Sequence, residues 1–126
     1  MDKTTRKFFR IDYNGWMTIS DVDPERDMLD QIHDQLNGGL FEVVRCRTLP
    51  RKFVMLVDDC GLLKELPFNF VAQAIYGAPI AGVALIMCED YDENGERDLF
   101  GLKMEDIDEL MHVLRGLIVI REVNEE

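Results

Sequence analysis

The chain has 126 residues, 47% hydrophobic and 31% charged, with 25 Asp and Glu against 14 Lys and Arg for a formal net charge of -11. A chain of this length suits one domain with one core, and its apolar content excludes intrinsic disorder. Three widely spaced cysteines without a C-x-x-C pair exclude a disulfide framework, while an acidic surface repels nucleic-acid phosphates and anionic lipid. The charged N-terminal residues lead into no apolar leader segment, and the longest apolar run, Ala78 to Cys88, is too short to span a bilayer, so the expectation is a cytoplasmic protein with reduced thiols.

Phe8 to Tyr13 and Trp16 to Ser20 alternate apolar with polar residues on either side of Asn14-Gly15, which predicts a hairpin with a two-residue turn. Asp23, Pro24 and Glu25 read as an N-cap, a first-turn proline and a dipole-compatible acid. They open a helix with Met28, Leu29, Ile32 and Leu36 on one face, stopped by Gly38-Gly39. Phe41 to Arg47 and Phe53 to Val57 predict a second antiparallel pair, with a turn at Asp58 to Gly61.

Pro67 to Tyr76 predicts a short helix capped by Asn69 and ended by Gly77. Pro79 to Cys88 is apolar almost throughout and predicts a central strand buried on both faces. Residues 89 to 98 predict an exposed acidic loop. The next helix, about Lys103 to Arg115, carries Met104, Ile107, Leu110, Met111 and Leu114 on one face and ends at Gly116. The β-branched run Leu117 to Val123 predicts a last strand. The whole, residues 1–126, is one α+β domain: a mostly antiparallel sheet with two or three helices packed on it, in the order ββαββαβαβ.

Three stretches, Gly39 to Val44, Val54 to Asn69 with its Leu-Pro-x-Asn ending, and Tyr76-Gly77-Ala78-Pro79-Ile80-Ala81-Gly82 leading into Val83 to Ile86, resemble the family known as domain of unknown function 3846. The resemblance runs from about Phe8 to Leu114. It implies a small accessory protein of a phage, plasmid or conjugative element, with no activity and no catalytic residue attached.

Function must therefore be sought in charge and exposed side chains. Residues 89 to 126 hold 13 acids and 4 bases, against 12 acids and 10 bases in residues 1 to 88, so the C-terminal third is the acidic pole. Asp90, Asp92, Glu93 and Glu96 with Glu105, Asp106, Asp108 and Glu109 form a dense anionic surface suited to a host protein with a basic surface, such as a defence or nucleic-acid-handling protein. The acids at the start of the last helix also have a bland explanation in the helix dipole.

The alternative is a small nucleic-acid-binding regulatory domain that uses Arg45, Arg47, Arg51 and Lys52, aided by Lys3, Arg6, Lys7 and Arg10, with the acidic pole facing away. Charged edges that discourage sheet-to-sheet aggregation explain the same bases without a ligand.

Other chemistry lacks its pattern. The spacing Asp90-x-Asp92-x-Asn94-Gly95 begins like a calcium loop, but Gly101 stands where the bidentate Glu belongs, and a solvated turn is the simpler reading. His33 and His112 have no Cys or His partner at metal spacing. Ser20, the only serine, sits just before a helix cap, and Cys60 stands beside two carboxylates that oppose a reactive thiolate. Gly77, Gly82 and Gly95 form no phosphate-cradling loop. Trp16 and Tyr13 read as a cross-strand aromatic pair or an exposed anchor. No catalytic residue, metal or cofactor is expected; a homo-oligomer is possible.

Overall fold

The computed structural model describes the backbone of residues 5–125 and the side chains through residue 117. Nine elements follow in the order β1 (Lys7–Ile11), β2 (Met17–Asp21), α1 (Met28–Gln35), β3 (Phe41–Val44), β4 (Phe53–Asp58), α2 (Phe70–Tyr76), β5 (Ala84–Tyr91), β6 (Arg97–Phe100) and α3 (Met104–Glu125). The α+β class holds, and every strand pairing is antiparallel. The strand order is β2-β1-β5-β4-β3, with β6 on the same edge of β5 as β1. Strand β1 covers Ala84 to Ile86 and β6 covers Cys88 to Tyr91. Leu102 then joins the two segments by exchanging backbone hydrogen bonds with Lys7.

Period-2 alternation explains why β4 and β5 are buried on both faces. Phe9, Ile11, Phe53, Met55, Ile86 and Cys88 face one way and pack on Ala72 and Ile75 of α2 and on Ile107, Leu110 and Leu114 of α3. Phe8, Val54, Leu56, Leu85 and Met87 face the other way and pack on Ile32 and Leu36, at and just after α1. The single expected core is therefore two, because a sheet covered on both faces separates its inward side chains into two layers.

Four local expectations are corrected. The first turn has three residues, not two: Asp12 N–H bonds to the Trp16 carbonyl, Gly15 N–H bonds to the Asp12 carbonyl, and Gly15 alone in this turn takes a positive φ, 93°. That is a type I turn followed by a left-handed glycine, an alternative Asn-Gly serves equally well. Asp23 caps no helix. Its carboxylate accepts the Glu25 N–H within a turn, and Asp27 caps α1 through the Asp30 N–H.

Residues 89 to 98 are not all loop, since β5 runs on to Tyr91 and β6 starts at Arg97. The last predicted strand is helix: α3 passes through Gly116 to Glu125. A seven-residue β-branched run cannot be assigned by periodicity alone, and one interior glycine costs a helix only about 1 kcal/mol.

Asn69 fixes α2 to the sheet. Its amide oxygen accepts the Ala72 N–H as the helix cap, and its Nδ2 donates to the carbonyls of Ile11 and Gly82, at 2.9 Å each. The helix ends as expected at Gly77, which adopts φ 94°.

Candidate functional site

The β5–β6 hairpin repeats the first turn: Asp92 N–H bonds to the Glu96 carbonyl, Gly95 N–H bonds to the Asp92 carbonyl, and Gly95 takes φ 81°. The Asp92 carboxylate serves that turn by accepting the N–H groups of Asn94 and Glu96 at 2.8 and 2.9 Å. Its register opposes Cys88 to Phe100, Glu89 to Leu99, Asp90 to Asp98 and Tyr91 to Arg97. Opposed residues share a face, so Asp90 and Asp98 extend the face of Cys88 and Phe100, on the α3 side, with Asp92 and Glu96 beyond them. Two carboxylates directly opposite each other repel.

A recess of about 600 Å³ lies between this hairpin and the start of α3, lined among others by Asp90, Asp92, Glu93, Glu105 and Asp106. Asp90, Glu93, Glu96, Asp98, Glu105 and Asp108 are exposed, and none is in an ion pair among the described residues.

Not all expected acids belong to that free set. Asp106 is only 8% exposed. Its Oδ2 accepts the Lys103 N–H at 3.0 Å, the return half of a capping box, while its Oδ1 takes Lys52 Nζ at 2.8 Å. The Cys88 thiol lies 3.7 Å from Oδ2. Burial works to raise this carboxyl, but the Lys52 ammonium, the Lys103 N–H and the Cys88 thiol outweigh it, so Asp106 titrates below the ordinary carboxylate range. Glu109 is also engaged, 2.7 Å from Lys52.

Asp106 is thus a structural anchor between α3 and the start of β4, and Asp106→Asn is expected to destabilise the fold by about 2 kcal/mol near neutral pH. The depressed folded value makes this contribution full above the ordinary range, about pH 4, and lost as pH falls through the lower folded value. Urea midpoints measured from about pH 7 down to about pH 3 should therefore converge for the variant and the parent protein.

The expected bases sit beside the acids. A cleft of about 770 Å³ is lined by Arg45, Arg47, Arg51, Lys52 and Arg97 together with Cys46, Leu49, Phe53, Glu89, Asp90 and Tyr91. Arg45 grips Glu89 with both terminal nitrogens, at 2.6 and 3.0 Å, and this pairing chiefly holds Glu89 below the ordinary carboxylate range. Arg97 stands 3.6 Å from Glu89 and 5.8 Å from the centre of the Tyr91 ring. Arg47 and Arg51 are exposed and make no ion pair among the described residues.

The acidic pole therefore does not face away from the basic segment; the two adjoin along Lys52 and Glu89, because β4 and β5 are neighbours and Phe53 pairs with Cys88. The N-terminal bases are used locally. Arg6 stacks on Phe100 and donates to the Gly101 carbonyl, Lys7 pairs with Asp21, and Arg10 pairs with Asp12. Lys3 lies outside the described residues.

The remaining candidates are dispersed. His33 packs edge-on against Phe41, and His112 is exposed on α3. Burial pushes the Cys46 thiol up to about 11, and burial followed by the Asp106 charge pushes Cys88 up to about 12. Cys60 is exposed. Trp16 opposes Asp12 across the hairpin and not Tyr13, which stands in the loop, because a three-residue turn shifts the pairing by one. Among the described residues no set of three or more His, Cys, Asp and Glu is gathered to hold a metal, and no helix is long and apolar enough to cross a membrane.

The sequence reading missed Glu89, Tyr91, Arg97 and Asp98 as site residues. Glu89-Asp90-Tyr91 break the apolar run that marks β5, so no local pattern extended the strand to them.

No protein-family model and no curated protein matches the chain. Among solved structures it is similar to part of the small RNA methyltransferase HEN1, with a TM-score of 0.54 and 16% identity. The match covers 82% of this chain and 15% of that one, so the chain spans a small fraction of that protein's length. At this identity the likeness shows the fold alone.

Proposed function

We propose that this is a non-enzymatic binding protein whose acidic recess receives a cationic surface of another protein. The observation that carries the reading is the hairpin face on which Asp90 opposes Asp98 and Asp92 leads to Glu96, with Glu105 across the recess from it. Carboxylates held this close repel, and a Lys- or Arg-rich partner relieves the repulsion while gaining long-range attraction to the protein. The resemblance to a family of mobile-element proteins supports the more specific reading of an accessory protein that modulates a host defence or nucleic-acid-handling protein.

Tagged protein incubated with bacterial lysate, with and without nuclease, is expected to retain a specific protein that the variant Glu93→Lys, Glu96→Lys, Glu105→Lys, Asp108→Lys loses. All four positions are exposed, so the variant should keep the parent's circular dichroism. Retention by a folded variant would sink the reading.

A second reading has its own support in the cleft lined by five cations, where Tyr91 presents a ring that is 61% exposed. An anionic ligand such as a single-stranded nucleic acid fits those groups, with a base on the ring and phosphates on Arg47 and Arg51. The HEN1 protein is described as a small RNA methyltransferase, but its 16% identity lends that reading no weight. Recovery of nucleic acid, or of proteins released by nuclease, would favour it, and Arg47→Glu with Arg51→Glu should then abolish the recovery.

A further inference from the structure

We infer that the free edge of β2 pairs with β2 of a second copy of this chain, joining two sheets into one. The inference begins with the direction of backbone groups. Val22 N–H bonds to the Arg6 carbonyl and Asp12 N–H bonds to the Trp16 carbonyl. Hydrogen-bonded pairs alternate along an antiparallel ladder, so with Phe9 opposite Ile19 the residues Trp16, Thr18, Ser20 and Val22 turn their N–H and C=O groups towards β1. Met17, Ile19 and Asp21 then turn theirs outward, and those groups have no backbone partner among the described residues.

This edge is poorly defended. Natural edges are blunted by charges, proline or brevity. Strand β3 has four residues with Glu42 exposed in it and Arg45 exposed just after it, and β6 has four with Arg97 and Asp98. Strand β2 has five residues, Met17-Thr18-Ile19-Ser20-Asp21, and its one charge is already paired with Lys7. Ile19 is 47% exposed and Trp16, just before the strand, 69%.

The occupant follows from self-complementarity. In an antiparallel pairing centred on Ile19, the outward groups of Met17, Ile19 and Asp21 meet those of Asp21, Ile19 and Met17 of the second copy, about six hydrogen bonds in all. Ile19 faces Ile19, Thr18 faces Ser20, and Asp21 faces Met17 in place of another acid. Each pair is of a favourable or neutral kind, and the two-fold symmetry is that of most homodimers. A protein of net charge -11 repels its copy at long range, so the pairing should strengthen with salt, opposite to the expectation for the acidic recess.

Cysteine cross-linking tests the register. In a Cys60→Ser background, where the remaining cysteines are buried, Ile19→Cys should form a disulfide dimer on mild oxidation about tenfold more efficiently than Thr18→Cys. Directly opposed Cα atoms are about 5.5 Å apart, within disulfide reach, whereas Thr18 and its counterpart lie beyond about 7 Å in this register. Light scattering at high micromolar protein should show a dimer that Ile19→Pro reduces to a monomer. That proline deletes an outward N–H and leaves the β1 ladder intact; Ile19→Lys serves if it does not fold. A monomeric parent, equal cross-linking at both positions, or a dimer persisting in a folded edge variant would overturn the inference.

Discussion

Asn69→Ala is expected to lower the unfolding free energy by about 4 kcal/mol. Asn69 is fully buried, and its side chain makes three hydrogen bonds, one capping α2 and two to carbonyls of residues on separate chain segments, Ile11 and Gly82. Loss of an N-cap costs about 1 kcal/mol, and the Gly82 carbonyl left buried without its Asn69 donor costs about 1 to 3, while the Ile11 carbonyl, which keeps the Ala84 N–H of the β1–β5 pairing, loses a second bond worth about 1. Asn69→Asp should be nearly as harmful. It keeps the acceptor that caps Ala72, but turns a donor into a charged oxygen aimed at two carbonyls. Urea denaturation followed by circular dichroism would measure both. A loss below about 1 kcal/mol for the alanine variant would mean that water or repacking satisfies those carbonyls.

Ile86→Ala should cost a comparable amount, about 3 to 4 kcal/mol. Ile86 is wholly buried in the layer beneath α2 and α3, in a strand paired along both edges by Phe9 and Met55. With strands on either side and helices above, neighbouring groups cannot move far to fill the void, which places the site at the costly end of large-to-small substitutions. Leu85→Ala opens its cavity in the opposite layer, beneath α1. Because the sheet separates the two cavities, the double variant should show nearly additive losses, whereas Ile86→Ala with Met55→Ala, two neighbours in one layer, should not. Denaturant midpoints for the three single variants, Leu85→Ala, Ile86→Ala and Met55→Ala, and the two doubles would test whether the layers behave as separate packing units.

The expected charge behaviour of the candidate site follows from which acids are already committed. Reversal at Asp106 would confound binding with unfolding, since it breaks the contacts to Lys52 and Lys103. Reversal at Glu93, Glu96, Glu105 and Asp108 leaves those contacts in place, which is why these four carry the binding test.

The sequence by itself determined the α+β class, the first hairpin, the cap and terminator of α2 at Asn69 and Gly77, and the double burial of β5. Each rests on a signal contained within about ten residues: an alternation, a capping side chain, or a glycine at positive φ. What depends on distant contact was not legible. The turn length at Asn14-Gly15 needed the register of β1 against β2, and the end of α3 could not be read from a β-branched run that suits strand and helix alike.

The site shows the same division. The local sequence made residues 90 to 96 and 105 to 109 acidic and residues 45 to 52 basic, but only the pairing of β4 with β5 brought the two groups together. With α3 packed on the sheet and β3 paired to β4, that arrangement buried Asp106 under Lys52 and bound Arg45 to Glu89. A formal charge belongs to a residue, whereas its availability to a partner depends on which opposite charge the fold places within about 4 Å.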